Sequence, residues 1–149
     1  MNILVSACLI GLNTRYAGDS NSIDWITSLA GEHTLIPVCP EQLGGLPTPR
    51  VPCERVGELV LDKNGADRTC AFRSGAEMAL RIARLNGCRV AILKQRSPSC
   101  GSGIVYDGTF SGTKIPGDGV AAELLKSAGL RVFSEEDMDE CLKYLAEQH

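Results

Sequence analysis

The chain has 149 residues, of which 44% are hydrophobic and 22% charged, and a net charge of −3 at pH 7. That length suits one domain with a real core, residues 1–149, and the ordinary composition excludes a disordered chain or a collagen-like repeat. Weak acidity speaks against non-specific nucleic-acid binding, which needs clustered positive charge.

Met1 to Ser6 reads as a strand that runs into Ala7-Cys8-Leu9-Ile10-Gly11. Gly11 to Ser20 is a loop of glycine and small polar residues, and a helix is expected around Ile23 to Ala30, ended by Gly31. Thr34 to Val38 is a second strand, leading to Cys39-Pro40-Glu41. The stretch from Gly44 to Pro52 cannot be regular, because its prolines and paired glycines defeat both hydrogen-bond ladders; a long loop at a strand end is a place for function. Glu58 to Leu61, followed by Lys63-Asn64-Gly65-Ala66, carries the Asn-Gly signal of a short hairpin outside the main sheet.

From Phe72 to Leu85 the spacing of Ala76, Ala79, Leu80, Ala83 and Leu85 suits an amphipathic helix, closed by Asn86-Gly87. Arg89 to Leu93 is a buried strand, broken abruptly by Ser97-Pro98-Ser99-Cys100-Gly101-Ser102-Gly103. Ile104 to Gly112 looks like a second small hairpin or an extended excursion. Gly117-Asp118-Gly119 opens a helix with Asp118 as its cap and Gly129 as its stop. Leu130 to Phe133 is a last strand, and Ser134 to Asp137 caps a terminal helix that puts Met138, Cys141, Leu142 and Leu145 on one face. The alternation predicts a three-layer, Rossmann-like α/β domain with a mainly parallel sheet and helices on both faces. The glycine fingerprint of a dinucleotide site is absent after the first strand.

Met1-Asn2-Ile3-Leu4-Val5 carries no leader pattern, and no apolar run approaches membrane-spanning length, so a cytoplasmic location without membrane contact is expected. Seven cysteines is a high count for that compartment; an odd number at irregular spacing reads as metal ligation or catalysis rather than a disulfide framework. Three expected strand ends carry one thiol each, and a parallel sheet would bring Cys8, Cys39 and Cys100 to one small volume. Structural zinc wants four ligands, often in Cys-x-x-Cys pairs; none occurs, and only His33 and His149 could add imidazole. A four-iron cluster takes one thiolate per iron, so three cysteines leave one iron open as a Lewis acid. Cysteine is also a common buried residue, and Cys53, Cys70, Cys88 and Cys141 are read as structural.

Three separate motifs, Ser6-Ala7-Cys8-Leu9-Ile10-Gly11, Cys39-Pro40-Glu41 with Gly44 to Arg50, and Lys94 to Gly101, resemble the thiouracil desulfidase family over nearly the whole chain. The resemblance implies a [4Fe-4S] cluster held by Cys8, Cys39 and Cys100, whose fourth iron binds the sulfur of a thiolated pyrimidine. It implies acid-base roles for Glu41 and Ser97 in water attack and sulfide release without net redox change. Relatives that act on tRNA look like this domain joined to a second one, which favours a small free substrate here. Cys53 departs from the pattern as an extra thiol.

Each assignment has a plainer rival. A glutamate beside proline is often a solvated charge, serine before proline is often turn chemistry, and Arg15, Arg50 and Arg96 fit surface ion pairs as well as substrate contacts. Tyr16 suits packing as well as stacking. The alternative reading is a non-catalytic iron-sulfur or zinc protein, for binding or redox; a plain nucleotide-binding module with incidental thiols is a third.

Overall fold

The computed structural model describes residues 1–148. In chain order these form β1 (Asn2–Ser6), α1 (Asp24–Thr27), β2 (Thr34–Val38), α2 (Pro40–Leu43), β3 (Cys53–Val56), β4 (Leu59–Asp62), α3 (Thr69–Leu85), β5 (Val90–Leu93), β6 (Ile104–Tyr106), β7 (Lys114–Pro116), α4 (Val120–Ser127), β8 (Arg131–Ser134) and α5 (Met138–Glu147). Short 3-10 turns at Ala7–Ile10 and Ser28–Gly31 follow β1 and α1.

Four parallel strands make the central sheet in the order β2-β1-β5-β8. Both faces are covered, so β5 reads Val-Ala-Ile-Leu and is buried at every position, as expected of a strand between two helical layers. The two-residue period divides its side chains. Ile3, Val5, Val90 and Ile92 pack on one face with Ile26, Cys141 and Leu145, whereas Leu4, Ala91 and Leu93 pack on the other with Leu80, Ala83, Ala122 and Leu125. Thus α1 and α5 cover one side, α3 and α4 the other. No helix among the described residues is long and apolar enough to cross a membrane.

Local readings differ from this fold in instructive places. The helix expected over Ile23 to Ala30 is one α-turn followed by a 3-10 turn that ends at Gly31. A short helix, α2, follows Cys39 directly; Pro40 occupies its first position, where a missing amide costs nothing. The first hairpin joins β3 to β4 through Gly57-Glu58, with Gly57 at φ 61°, and Asn64-Gly65 lies beyond it. That Asn-Gly turn is held instead by Asp62, whose Oδ1 accepts from the amides of Asn64 and Ala66 at 2.9 Å each.

The second hairpin forms, but its return strand is β7, beyond the segment expected to hold it. Leu85 ends α3 at 76% exposed, and Met138 and Leu142 of α5 are exposed while Cys141 and Leu145 are buried. Asp118 does not cap α4. Its Oδ1 accepts from the Gly103 amide and pairs with Lys126, and the cap position belongs to Gly119.

Candidate active site

The chain leaves β1 for β2 on one side and places β5 on the other, so the connections diverge and open a crevice at the carboxyl ends of the strands. Cys8 sits in the turn after β1, Cys39 directly after β2 and Cys100 in the loop after β5, and these three strands are consecutive in the sheet. All three residues line one cavity of about 400 Å³, together with Glu41 and Ser97. Burial pushes the Cys8 thiol up to about 11 and that of Cys100 up to about 12, and raises that of Cys39. The thiols also act on one another: Cys39 raises Cys8, and both raise Cys100.

Each cysteine is held by backbone that the sequence makes rigid. The Cys8 carbonyl accepts from the Gly11 amide at 3.4 Å and the Asn21 amide at 2.8 Å, with Gly11 at φ 94°. The Cys39 carbonyl accepts from Leu43 at 2.9 Å across the single turn of α2. The Cys100 loop is tied to the start of α4, whose first amides, from Val120, Ala121 and Ala122, donate to the carbonyls of Pro98 and Ser99. These loop carbonyls satisfy donors that a helix start leaves open, in place of a side-chain cap. Gly119 must be glycine here, because a Cβ would stand 2.5 Å from the Ser99 carbonyl carbon.

Glu41, on α2, is anchored at both oxygens. Oε1 accepts from Arg50 Nε at 3.0 Å and Oε2 from Ser99 Oγ at 2.9 Å. The pair is largely enclosed, with the Arg50 side chain 6% and the Glu41 side chain 12% exposed. Arg50 is therefore not a surface ion pair; it also donates to Thr48 Oγ1, Pro47 O and Thr14 O, and its Nη2 lies 3.8 Å from Cys39 Sγ. The glutamate is placed by backbone contact between α2 and α3. A Cβ on Gly75 would fall 1.8 Å from the Pro40 carbonyl oxygen, and one on Gly44 2.0 Å from that of Ala71.

The remaining candidates divide. Arg15 and Arg96 border the cavity but pair with Asp19 and Glu136, and Tyr16 borders it at 44% exposed. Cys53 is buried and lines the cavity, Cys88 and Cys141 are buried in the core, and Cys70 is exposed and fills no core position. His33 sits at the opposite end of the sheet, 3.2 Å from the terminal amine, and His149 lies outside the described residues.

Several cavity residues escaped the sequence reading. Ser99 adjoins a cysteine and shares a motif with Ser97, a signal that could have found it. Ser6 bridges β1 and β5, its Oγ accepting from the Lys94 amide at 2.9 Å. Glu54 Oε1 accepts from the amides of Gly108 and Phe110, holding Phe110 at φ 57°, outside the usual range for a non-glycine residue. Tyr106 and Phe110 give the cavity an aromatic edge.

A family model described as 2-thiouracil desulfurase matches residues 3–137. The protein YbbK of Bacillus subtilis (strain 168), described as uncharacterized, is 43% identical over 150 residues, covering 94% of this chain and 99% of that one. A solved structure described as a [4Fe-4S]-dependent thiouracil desulfidase, TudS, matches with a TM-score of 0.93 at 46% identity, over 97% of each chain. With one matching model spanning nearly the whole α/β unit and its thiol-lined crevice, the chain belongs to the 2-thiouracil desulfurase family.

Proposed function

We propose that residues 1–149 form one desulfidase domain that removes sulfur from a small thiolated pyrimidine, with Cys8, Cys39 and Cys100 holding a [4Fe-4S] cluster and Glu41 and Ser97 in acid-base roles. The observation that carries the reading is the meeting of three thiols from consecutive strand ends with an anchored carboxylate in one cavity.

The donor set suits a cluster better than a single ion. Its three candidate ligands are all sulfur, the soft donor that iron-sulfur centres take. Among the described residues, no group of three His, Cys, Asp or Glu side chains is arranged to hold one metal ion, as the zinc reading would require. A cluster asks for one thiolate per iron and so spreads its ligands. When bound, a cluster with three protein ligands supplies one open iron, a soft Lewis acid for the thiocarbonyl sulfur.

The chain's own residues then supply the rest. Glu41, fixed by Arg50 and Ser99, takes a proton from the water that attacks the pyrimidine carbon. The balance is hydrolytic: a thiocarbonyl and water give a carbonyl and hydrogen sulfide, with no electron donor or acceptor. The cavity's size and its aromatic edge at Tyr106 and Phe110 suit a flat ring. Seven free thiols accord with a reducing, cytoplasmic setting.

The test is anaerobic reconstitution followed by sulfide measurement on a panel of thiopyrimidines. The expected protein binds about four iron and four sulfide per chain. Cys100→Ala should lose cluster and activity together, whereas Glu41→Gln should keep the cluster and lose turnover by about 10²-fold or more. A loaded protein that releases no sulfide from any thiopyrimidine overturns the reading in favour of a passive metal protein, and a fully active Glu41→Gln removes the role given to that residue.

A further inference from the structure

We propose that Ser99 is a positioning residue that joins Ser97 and Glu41 into a single hydrogen-bonded unit, an inference that rests on the desulfidase reading above. A serine hydroxyl has one proton to donate and two lone pairs to accept with. Ser97 Oγ accepts from the amides of Ser99 at 3.2 Å and Cys100 at 3.1 Å, which occupies both lone pairs. Its proton must therefore point outward, and Ser99 Oγ lies 3.0 Å away.

Ser99 thus accepts from Ser97 and directs its own proton to Glu41 Oε2 at 2.9 Å, a far better acceptor than Cys100 Sγ at 3.7 Å. The donor direction is forced along the whole chain, Ser97 to Ser99 to Glu41. Arg50 closes its far end on Oε1 at 3.0 Å. Without Ser99 the hydroxyl of Ser97 would have no acceptor in the network, and one oxygen of Glu41 would lose its only donor among the described residues.

Apart from its long 3.7 Å contact with Cys100 Sγ, the Ser99 hydroxyl has no other partner among the described residues. Ser99 is 2% exposed, but its structural work is done by the backbone: its carbonyl accepts from Ala121 at 2.8 Å and Ala122 at 3.0 Å, and its amide donates to Ser97. Alanine at this position keeps all of those bonds and removes only the side-chain oxygen. Ser99→Ala is therefore a selective cut through the network rather than through the loop.

The experiment is a double-mutant cycle on reconstituted protein, comparing the parent, Ser99→Ala, Glu41→Ala and the double variant for iron content, kcat and KM. Ser99→Ala should hold the same iron as the parent, lose about tenfold or more in kcat, and change KM by less than about twofold, since a charge-assisted bond is removed without a substrate contact. On the Glu41→Ala background the same change should cost less than about twofold, because the group it positions is gone. Ser99→Thr, which restores a hydroxyl, should recover most of the rate if its methyl is accommodated. The same four variants without metal, unfolded in denaturant, give a second readout, and their stabilities should be non-additive. Additive stabilities together with a Ser99→Ala kcat within twofold of the parent, or with equal losses on both backgrounds, overturn the inference while leaving the desulfidase reading intact. A loaded parent that releases no sulfide overturns that reading instead, with the metal-free cycle still reporting whether Ser99 and Glu41 are coupled.

Discussion

Replacing Gly75 by alanine should destabilise the protein and damage its site, although alanine is the better helix former. Propensity alone favours the change by about 1 kcal/mol within a helix. Against that, the new Cβ would stand 1.8 Å from the Pro40 carbonyl oxygen and 2.7 Å from its carbon, where ordinary contact begins at 3.4 Å. Both atoms are backbone, so no rotamer change relieves the overlap, and α2 must retreat from α3 by about 1.6 Å. Overpacking by a single methylene costs about 1–3 kcal/mol; a clash with backbone belongs at the upper end, leaving a net loss of about 2 kcal/mol.

For a chain of this size that lowers Tm by about 4–8 °C. Because α2 begins directly after Cys39 and carries Glu41, the retreat also moves a thiol and a carboxylate, and a displacement of about 1 Å can cost on the order of 10² in rate. Thermal unfolding of the metal-free protein, followed by iron content and sulfide release after reconstitution, reads both effects. Gly31→Ala is the control, since a Cβ there meets nothing within 4 Å. An unchanged or raised Tm for Gly75→Ala, with full iron and full turnover, would refute the close crossing of α2 over α3.

Arg50→Lys should lose about 1–3 kcal/mol of stability, less than the ~3–5 kcal/mol of breaking a buried pair outright, and about tenfold or more in kcat; lysine keeps the charge but cannot span Glu41, Thr48 and Thr14 at once. Parent-like melting and turnover would refute this. Glu54→Ala should raise KM about 3–10-fold with less effect on kcat, because the carboxylate that holds the amides of Gly108 and Phe110 is gone and an aromatic wall loosens; steady-state kinetics decides. For the metal-free protein, burial raises the thiols of Cys53 to about 11 and Cys141 to about 12 from an ordinary 9.0. The unfolded chain then binds fewer protons than the folded one across that window, so the contribution of these thiols is constant below about pH 9 and is lost as pH rises through it. A Tm that stays level to about pH 11 would contradict the sign.

The thiol-bearing strand ends were readable because their signals are local. An apolar run stopped by glycine or proline announces β1, β2 and β5 without reference to the rest of the chain; Cys39 follows its run directly, and Cys8 and Cys100 lie in the turn and loop that come next. Residues whose meaning depends on distant partners were not readable. Ser97 stood out from the motif, yet the serine that reaches Glu41 is Ser99, 58 positions away from it along the chain. Arg50 looked like a loop charge and is enclosed, because its partners at Thr14 and Glu41 come from other elements. Asp118 had the local look of a helix cap, but the carbonyls of Pro98 and Ser99 had already taken that place.

By itself the sequence determined an alternating α/β chain, buried strands without a polar face, and thiols at three strand ends, since hydrophobic period and chain breakers act over a few residues. Only the tertiary structure decided that those ends are neighbours. The order β2-β1-β5 depends on which side of β1 each crossover takes and on how helices with a glycine at their crossing can approach, and these are relations between elements that no local pattern contains.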